Sequence, residues 1–236
     1  MQAKAPLIGI IGAMEIETEG LRALMTSTTE EVVSGSRFTK GLLEGFPTVT
    51  ATCGVGKVAA ALCAEAMILR YGVTALLNTG VAGGLAKGLT VGDVVLADFV
   101  VQHDMDTSAL GDPVGLISGL NIVKIPADKA LLATLRAAAE QTGLNTLVGT
   151  VASGDLFVAD PADKERIVSQ FGAAACEMEG AAIGQVAYTN GVPFAVLRAI
   201  SDGGDGMEFS EFVGLAATRS VKVTREFVGR LASTTK

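Results

Sequence analysis

The segment Arg198-Ala199-Ile200-Ser201-Asp202 places a guanidinium, a hydroxyl and a carboxyl group directly after an apolar run, residues 193–197. The run has the composition of a buried strand in a parallel sheet. Open α/β sheets bind their ligands at the carboxyl ends of such strands. A buried carboxylate is costly there unless it is paired or used in chemistry. Arg198 and Asp202 are therefore either an internal ion pair or parts of an active site.

Further acidic residues follow other predicted strands. Glu17 comes just after the first strand, Asp155 follows Ser153-Gly154, and Glu177-Met178-Glu179 ends a third strand. In a doubly wound sheet these strand ends converge on one crevice. Several carboxylates beside an arginine suit hydrolysis of a glycosidic bond, because one acid protonates the leaving group and another activates water. We therefore interpret the acids as one site.

Two other motifs favour different chemistry only weakly. Residues 54–59 (GVGKVA) fit a loose dinucleotide-binding pattern, which also wants an acidic residue about twenty positions later. The next predicted strand ends instead in Asn78-Thr79-Gly80, so a tight turn with close backbone packing is the better interpretation. His103-Asp104 could belong to a Ser–His–Asp triad, but the chain has no GxSxG elbow.

Strand-like and helix-like patterns alternate along the chain, and we predict one α/β domain over residues 1–236. Predicted strands cover residues 7–13, 73–78, 91–101, 146–151, 173–178 and the run from 193, with two or three antiparallel strands in 31–53. Predicted helices cover residues 15–25, 57–71, 128–142, 162–171, 180–190 and 210–231. The irregular stretch 105–121 is interpreted as a lid or a partner contact.

The composition argues against several classes of function. Hydrophobic residues make up 49% of the 236 residues and charged residues only 18%, so we expect a second subunit to cover apolar surface. A net charge of −7 without a basic cluster disfavours nucleic acid as a partner. One histidine and three cysteines without a CxxC pair predict no metal cluster. The apolar runs are too short for a membrane helix, and the odd number of cysteines indicates reduced thiols in the cytoplasm.

Seven segments, in this order and spacing, resemble the 5′-methylthioadenosine/S-adenosylhomocysteine nucleosidases of the wider purine nucleoside phosphorylase-like family. They are residues 8–17 (IGIIGAMEIE), 54–61 (GVGKVAAA), 78–85 (NTGVAGGL), 91–94 (VGDV), 153–158 (SGDLFV), 177–182 (EMEGAA) and 198–202 (RAISD). The resemblance implies a three-layer α/β/α sandwich with a central mixed twisted sheet. It also implies a homodimer and no cofactor.

The resemblance assigns roles to residues on the sugar side of the site. It implies that Glu17 is the base that activates the attacking water, and that Arg198 lies nearby to orient it. It implies that Glu179 binds the ribose hydroxyls and that Met178 packs on the sugar.

On the base side, the resemblance implies that Phe157 stacks on adenine and that the backbone of Val158 meets the adenine edge. Asp202 would donate a proton to purine N7, assisted by Ser201. Gly83 would let the backbone approach the ligand. Protonation matters because adenine is a poor leaving group as an anion.

Two departures from the family pattern concern the substrate. The family usually has a hydroxyl residue at the position of Val81, so one ribose contact is expected to be missing. The segment after His103-Asp104 usually supplies aromatic side chains that close the 5′-substituent pocket across the dimer, but here it reads Leu110-Gly111-Asp112-Pro113. We therefore expect unusual selection among 5′-substituents.

The leading interpretation is hydrolysis of the N-glycosidic bond of 5′-methylthioadenosine or S-adenosylhomocysteine. Hydrolysis of another adenine nucleoside, such as aminodeoxyfutalosine, is a related alternative. A phosphate-dependent nucleoside phosphorylase would need cations to hold phosphate, yet Glu17 occupies the region where such enzymes bind it. A non-catalytic nucleoside-binding protein is a third alternative, and the retention of Glu17, Glu179 and Asp202 argues against it.

Overall fold

The computed structural model describes residues 5–203 and 206–234. Ten strands form one sheet. They are β1 (Ile8–Gly12), β2 (Thr26–Val33), β3 (Ser36–Leu43), β4 (Phe46–Thr52), β5 (Ala75–Gly84), β6 (Val94–Gln102), β7 (Ile125–Pro126), β8 (Thr146–Ser153), β9 (Ala173–Glu177) and β10 (Phe194–Asp202).

The α-helices each follow a strand of the sheet. They are α1 (Glu15–Leu24), α2 (Lys57–Ala66, continued by a π-helical turn, Met67–Tyr71), α3 (Lys129–Thr142), α4 (Pro161–Phe171), α5 (Gly180–Thr189) and α6 (Gly206–Thr234). The side chains of Asp128 and Asp160 accept hydrogen bonds from the first backbone N–H groups of α3 and α4. Gly143 and Gly172 end the same helices in the left-handed conformation.

The sheet is mixed, and its centre closes on itself. Parallel pairing joins β4 to β1, β1 to β5, β5 to β10, and β6 to β8 to β9. Antiparallel pairing joins β10 to β6 and β5 to β9. The strands β5, β10, β6, β8 and β9 therefore form a closed ring, which leaves no free edge on those strands.

Helices cover both faces of the sheet. On one face, Ile10 of β1 shares a core with Leu135 of α3 and Phe227 of α6. On the other face, the next residue, Ile11, shares a core with Ile183 of α5. Neighbouring residues of one strand thus enter different cores, as the two-residue repeat of a strand requires. The arrangement confirms the predicted three-layer α/β/α fold.

Several boundaries differ from the sequence-based prediction. We predicted that β5 enters a turn at Gly80, but the strand continues to Gly84, because residues 80–84 pair with β10 and β9. β2 begins at Thr26, ahead of the predicted range 31–53, whereas β10 ends at Asp202 as predicted. The predicted helix 210–231 begins at Gly206 and ends at Thr234.

The three cysteines, Cys53, Cys63 and Cys176, are free and buried. Burial raises the pKa of the Cys63 thiol to about 12 and that of Cys176 to about 12. The pKa of Cys53 is raised for the same reason. Within residues 5–203 and 206–234, no helix combines the length and apolarity needed to cross a membrane.

Candidate active site

A cavity of about 270 Å³ lies at the carboxyl ends of the parallel strands β1, β5 and β10. Asp155, which we grouped with the strand-end acids, does not line the cavity, but every residue to which the family resemblance gives a role does. These residues are Glu17, Gly83, Phe157, Val158, Met178, Glu179, Arg198, Ser201 and Asp202. The predicted convergence of strand ends on one crevice is therefore present.

Glu17 is held by backbone N–H groups. It lies in the first turn of α1 and is 1% exposed. Its Oε2 accepts hydrogen bonds from the N–H of Ala13 at 2.7 Å and of Met14 at 2.9 Å, and its Oε1 accepts from the N–H of Val81 at 2.9 Å. Burial raises the pKa of this carboxyl group, and the nearby charge of Arg198 opposes the rise. The backbone thus fixes the Glu17 carboxyl group, while Arg198 acts on it through charge.

Arg198 is 1% exposed, and its guanidinium group contacts several acceptors. Nη2 forms ion pairs with Glu177 and with Glu179, the latter at 3.5 Å, and donates to Asn78 Oδ1. Nη1 donates to the carbonyl oxygen of Val81 at 3.2 Å. Arg198 therefore pairs with the acids of the β9–α5 junction, a pairing that the sequence analysis did not predict.

Gly80 lies between Glu17 and Arg198. A Cβ atom at this position would overlap Glu17 Oε1 and would lie 2.8 Å from Arg198 Nη1. A side chain at position 80 would therefore displace the carboxylate or the guanidinium group.

Glu179 faces the cavity from the start of α5 and is 3% exposed. Its Oε1 accepts a hydrogen bond from the N–H of Gly56 at 2.9 Å. Burial raises its pKa to about 7, opposed by the Arg198 charge and reinforced by the Glu177 charge. The left-handed φ of Gly56, 102°, presents this N–H group, which confirms that the glycine pattern at residues 54–59 makes a tight turn.

Asp202 is the last residue of β10 and is 2% exposed. The Ser201 hydroxyl donates to Asp202 Oδ2 at 2.7 Å. The pairing of β10 with β5 shifts register between Ile200 and Asp202, which brings Asp202 opposite Gly83. Such an irregularity turns a side chain away from the direction that regular pleating would give it.

The remaining cavity wall is apolar. Phe157 is 45% exposed and packs edge-on against Phe209 of α6, with ring centroids 5.6 Å apart and planes at 78°. Val158 is buried and Met178 is half-buried. The wall therefore offers flat apolar surface beside the carboxylates.

Four contributors were not assigned a role from the sequence. Phe209 lies in a helix that we predicted to begin one residue later. Asn78 donates to the carbonyl oxygen of Ile11 at 3.0 Å and accepts from Arg198, and its position as an amide in an apolar strand was an available signal. Glu177 was grouped with the strand-end acids but given no separate role. Ser153 was noted only as part of a motif, and its hydrogen bond to Glu177 depends on the pairing of β8 with β9.

Asp155 and His103 do not belong to the cavity wall that the structure describes. Asp155 is exposed, and its Oδ1 accepts from the N–H of Lys57 at 2.7 Å, so it caps α2. His103 is 1% exposed, and in the described part of the chain neither ring nitrogen has a hydrogen-bond partner. Burial lowers its pKa. The structure therefore gives no support to a His103 triad.

The arrangement can supply acid–base chemistry from buried carboxyl groups. Glu17 and Glu179 have raised pKa values, and carboxyl groups are most effective in proton transfer when their pKa lies near the working pH. The buried Arg198 balances part of their charge. Among the described residues, no group of three or more His, Cys, Asp or Glu side chains could hold a metal ion.

Comparisons with known proteins agree with this geometry. The sequence model of the phosphorylase superfamily matches residues 7–229. A 5′-methylthioadenosine/S-adenosylhomocysteine nucleosidase from Shewanella baltica is 38% identical over 217 residues, which cover 90% of this chain and 92% of that protein.

Solved structures extend the similarity to the whole fold. The Neisseria meningitidis 5′-methylthioadenosine/S-adenosylhomocysteine nucleosidase in complex with methylthio-immucillin-A is 35% identical, with a TM-score of 0.93 over 96% of this chain and 100% of that one. A futalosine hydrolase from Helicobacter pylori is 37% identical, with a TM-score of 0.91 over 95% and 98% of the two chains. The chain therefore belongs to the phosphorylase superfamily and, within it, to the 5′-methylthioadenosine/S-adenosylhomocysteine nucleosidases.

Proposed function

We propose that this protein hydrolyses the N-glycosidic bond of 5′-methylthioadenosine and S-adenosylhomocysteine-type nucleosides, releasing adenine and a 5-thio-substituted ribose. The observation that carries the proposal is the convergence of Glu17, Glu179 and Asp202 in one apolar cavity beside Arg198. Hydrolysis of a glycosidic bond passes through a cationic sugar, which nearby carboxylates stabilise.

On the leaving-group side, Asp202 donates a proton to N7 of adenine as the bond from C1′ to N9 breaks. Adenine then departs as a neutral base rather than as an anion, which lowers the barrier. Ser201, hydrogen-bonded to Asp202 at 2.7 Å, holds the acid in place. Phe157 stacks on the base, and the backbone of Val158 binds its edge.

On the sugar side, Glu17 removes a proton from the attacking water as the new C1′–O bond forms. Its raised pKa suits a general base at near-neutral pH. Glu179 accepts hydrogen bonds from the ribose hydroxyls, and Met178 packs on the sugar. Gly83 lets the backbone approach the ligand.

Water rather than phosphate is the proposed nucleophile. Arg198 is the one Lys or Arg among the described residues that line the cavity, and Glu177 and Glu179 already pair with it. A phosphate beside Glu17 would meet like charge without a free cation to hold it.

The test is adenine release by purified protein in phosphate-free buffer. We expect adenine together with a free reducing sugar, at a rate that added phosphate does not raise. A ribose 1-phosphate product, formed faster as phosphate is added, would refute the hydrolase proposal.

A second candidate substrate is an aminodeoxyfutalosine-type adenine nucleoside. It is favoured by the absence of aromatic residues in Leu110-Gly111-Asp112-Pro113 and by the similarity to a futalosine hydrolase. Loss of an aromatic contact weakens discrimination by about 10-fold to 100-fold. We expect kcat/KM values for methylthioadenosine, S-adenosylhomocysteine and aminodeoxyfutalosine within that range of one another, and a strong preference for methylthioadenosine would contradict this.

We further propose that the protein works as a homodimer in the cytoplasm. Three free, buried thiols suit a reducing compartment. The start of α2 and the segment 105–121 are the proposed contacts between subunits.

A further inference from the structure

Glu177 lines the cavity but has no role in the reaction proposed above. We propose that Glu177 is a positioning residue, which fixes the Arg198 guanidinium group so that it faces the two carboxyl groups, Glu17 and Glu179, on the sugar side of the site. The expected effect of Glu177 on catalysis rests on the proposed function. The geometry that carries it does not depend on the substrate.

The hydrogen bonds of Glu177 leave it little capacity to bind a ligand. Its Oε2 accepts from the N–H of Glu179 at 3.0 Å and of Gly180 at 2.8 Å and pairs with Arg198, while Oε1 accepts from the Ser153 hydroxyl. Four donors approach one carboxylate, which has about four acceptor positions. Glu177 is therefore an acceptor within the protein rather than a group that exchanges protons with substrate.

Glu179, two residues further on, has different surroundings. Its Oε1 accepts from the N–H of Gly56, and its Oε2 lies 3.5 Å from Arg198 Nη2. The two acids of the EMEG segment therefore differ in function, since Glu177 holds the Arg198 guanidinium group and Glu179 faces the cavity.

Glu177 is itself anchored by two elements. The N–H groups of Glu179 and Gly180 belong to the N-terminus of α5, where the helix dipole favours a negative charge. Ser153, the last residue of β8, donates its hydroxyl to Glu177, and its oxygen accepts from the N–H of Ala181 at 2.7 Å. Ser153 and the start of α5 therefore hold the carboxylate that holds Arg198.

The charge of Glu177 also acts on Glu179. Glu177 is one of the charges that raise the pKa of Glu179, while Arg198 lowers it. Replacing Glu177 by glutamine removes a repulsive charge and leaves more of the Arg198 charge to act on Glu179. Both changes lower the pKa of Glu179, whereas a purely structural role would predict no such shift.

The test compares Glu177→Gln with the parent protein in two measurements. The first is titration of glutamate side chains labelled with ¹³C at the carboxyl carbon, with Glu179→Gln identifying the Glu179 resonance. We expect its midpoint to fall by about one pH unit or more. The second is steady-state kinetics, in which we expect kcat to fall about 10-fold to 100-fold through misplacement of Arg198. The acid limb of the profile of kcat against pH should also move to lower pH.

Glu31→Gln is the matched control, because Glu31 forms an ion pair with Arg70 away from the cavity. It should change neither the Glu179 midpoint nor kcat. If Glu177→Gln does not fold, Ser153→Ala removes one anchor of Glu177 while keeping its charge, and we expect it to lower kcat by a factor of about three or more. An unmoved Glu179 midpoint in Glu177→Gln, or kcat within about twofold of the parent in the variant that folds, would overturn the proposal. A parent protein that releases no adenine would instead overturn the proposed function, and the titration would still test Glu177.

Discussion

The carboxyl groups of the cavity differ in how the protein surrounds them. Backbone N–H groups fix the carboxyl group of Glu17. The carboxyl group of Glu179 accepts from one N–H group and lies 3.5 Å from the guanidinium group of Arg198, and that of Asp202 accepts from the Ser201 hydroxyl. Because these surroundings differ, substitutions of the three acids should have distinguishable effects on turnover and on stability.

Asp202→Asn should abolish most turnover and leave the fold intact. Asparagine keeps the shape of the side chain and can still accept from the Ser201 hydroxyl, but it cannot transfer a proton to the departing base. Loss of a general acid costs about 10²-fold to 10⁴-fold in rate. The measurement pairs kcat with a thermal melting curve.

Asp163→Asn, in the first turn of α4 and outside the described cavity lining, is the control for this substitution and should behave like the parent. If Asp202 served only as a structural partner, its asparagine variant would melt earlier and keep its activity. A variant that turns over within about tenfold of the parent would remove Asp202 from the mechanism.

Glu179→Gln should change how stability depends on pH. The pKa of Glu179 is raised from 4.5 to about 7 in the folded protein, so the folded state binds a proton that the unfolded state releases in that window. Stability due to Glu179 is therefore present below about pH 4.5 and is lost as pH rises to about 7. The neutral variant should gain on the order of 3 kcal/mol over the parent between those limits.

Urea unfolding at pH 4.5, 6 and 7.5 would measure the difference in free energy of unfolding. Glu19→Gln, at an exposed position of α1, should show no such gain with pH. A constant difference between Glu179→Gln and the parent at all three pH values would contradict the raised pKa.

Among the elements, β5 carries the closest packing of the site. Gly80 separates Glu17 from Arg198 in its interior. We expect Gly80→Ala to lower kcat/KM by about 100-fold, because a displacement of either group by about 1 Å has effects of that size. Gly214→Ala in α6 is the control, since the nearest atom to its Cβ would lie 3.8 Å away. Equal kcat/KM values for the two variants would show that the contact at Gly80 does not matter.

Most elements of the fold could be predicted from the sequence, because each carries a local signal. The apolar runs of β1 and β10 and the glycines that end α3 and α4 are examples. The continuation of β5 through Gly84 could not be predicted, since several adjacent glycines indicate a turn until their pairing with β10 is known. The closed ring of strands likewise depends on long-range pairing.

The nine site residues could be predicted because they lie at strand ends or within recognisable motifs. The ion-pair partners of Arg198 could not be predicted, because Glu177, Glu179 and Asp202 all lie at neighbouring strand ends. Which of them lies nearest depends on how the strands pair. The register shift of β10 against β5 fixes the position of Asp202. The strand-end acids and the motifs of the family resemblance thus predicted residues that line the cavity, and tertiary pairing determined their contacts.

For the whole molecule, α2 bears an exposed apolar stripe, which supports the proposed homodimer. Val58 is 72% exposed, Leu62 53% and Leu69 71%, and Val55 just before the helix is 55% exposed and lines the cavity. Spacings of four and seven residues place the three helical residues on one face. An apolar stripe of this kind marks a protein interface.

Leu62→Glu should therefore weaken the dimer. Light scattering should give a particle of about twice the 24.0 kDa chain mass for the parent and a smaller average mass for the variant. We expect activity to fall with dissociation, because Val55 connects the interface to the cavity. Val32→Glu, at a position 71% exposed on β2, should leave the mass unchanged. A fully active parent monomer would refute the dimer.

The three buried thiols give the folded molecule a built-in chemical reporter. A thiol reacts with disulfide reagents as the thiolate, and burial suppresses that form at Cys53, Cys63 and Cys176. Labelling by such a reagent must therefore wait for local or global opening of the chain. Cys176 lines the cavity, whereas Cys63 faces the core from α2, so occupancy of the cavity should slow labelling of Cys176 first. The ratio of the two labelling rates then separates opening of the active site from unfolding of the whole protein.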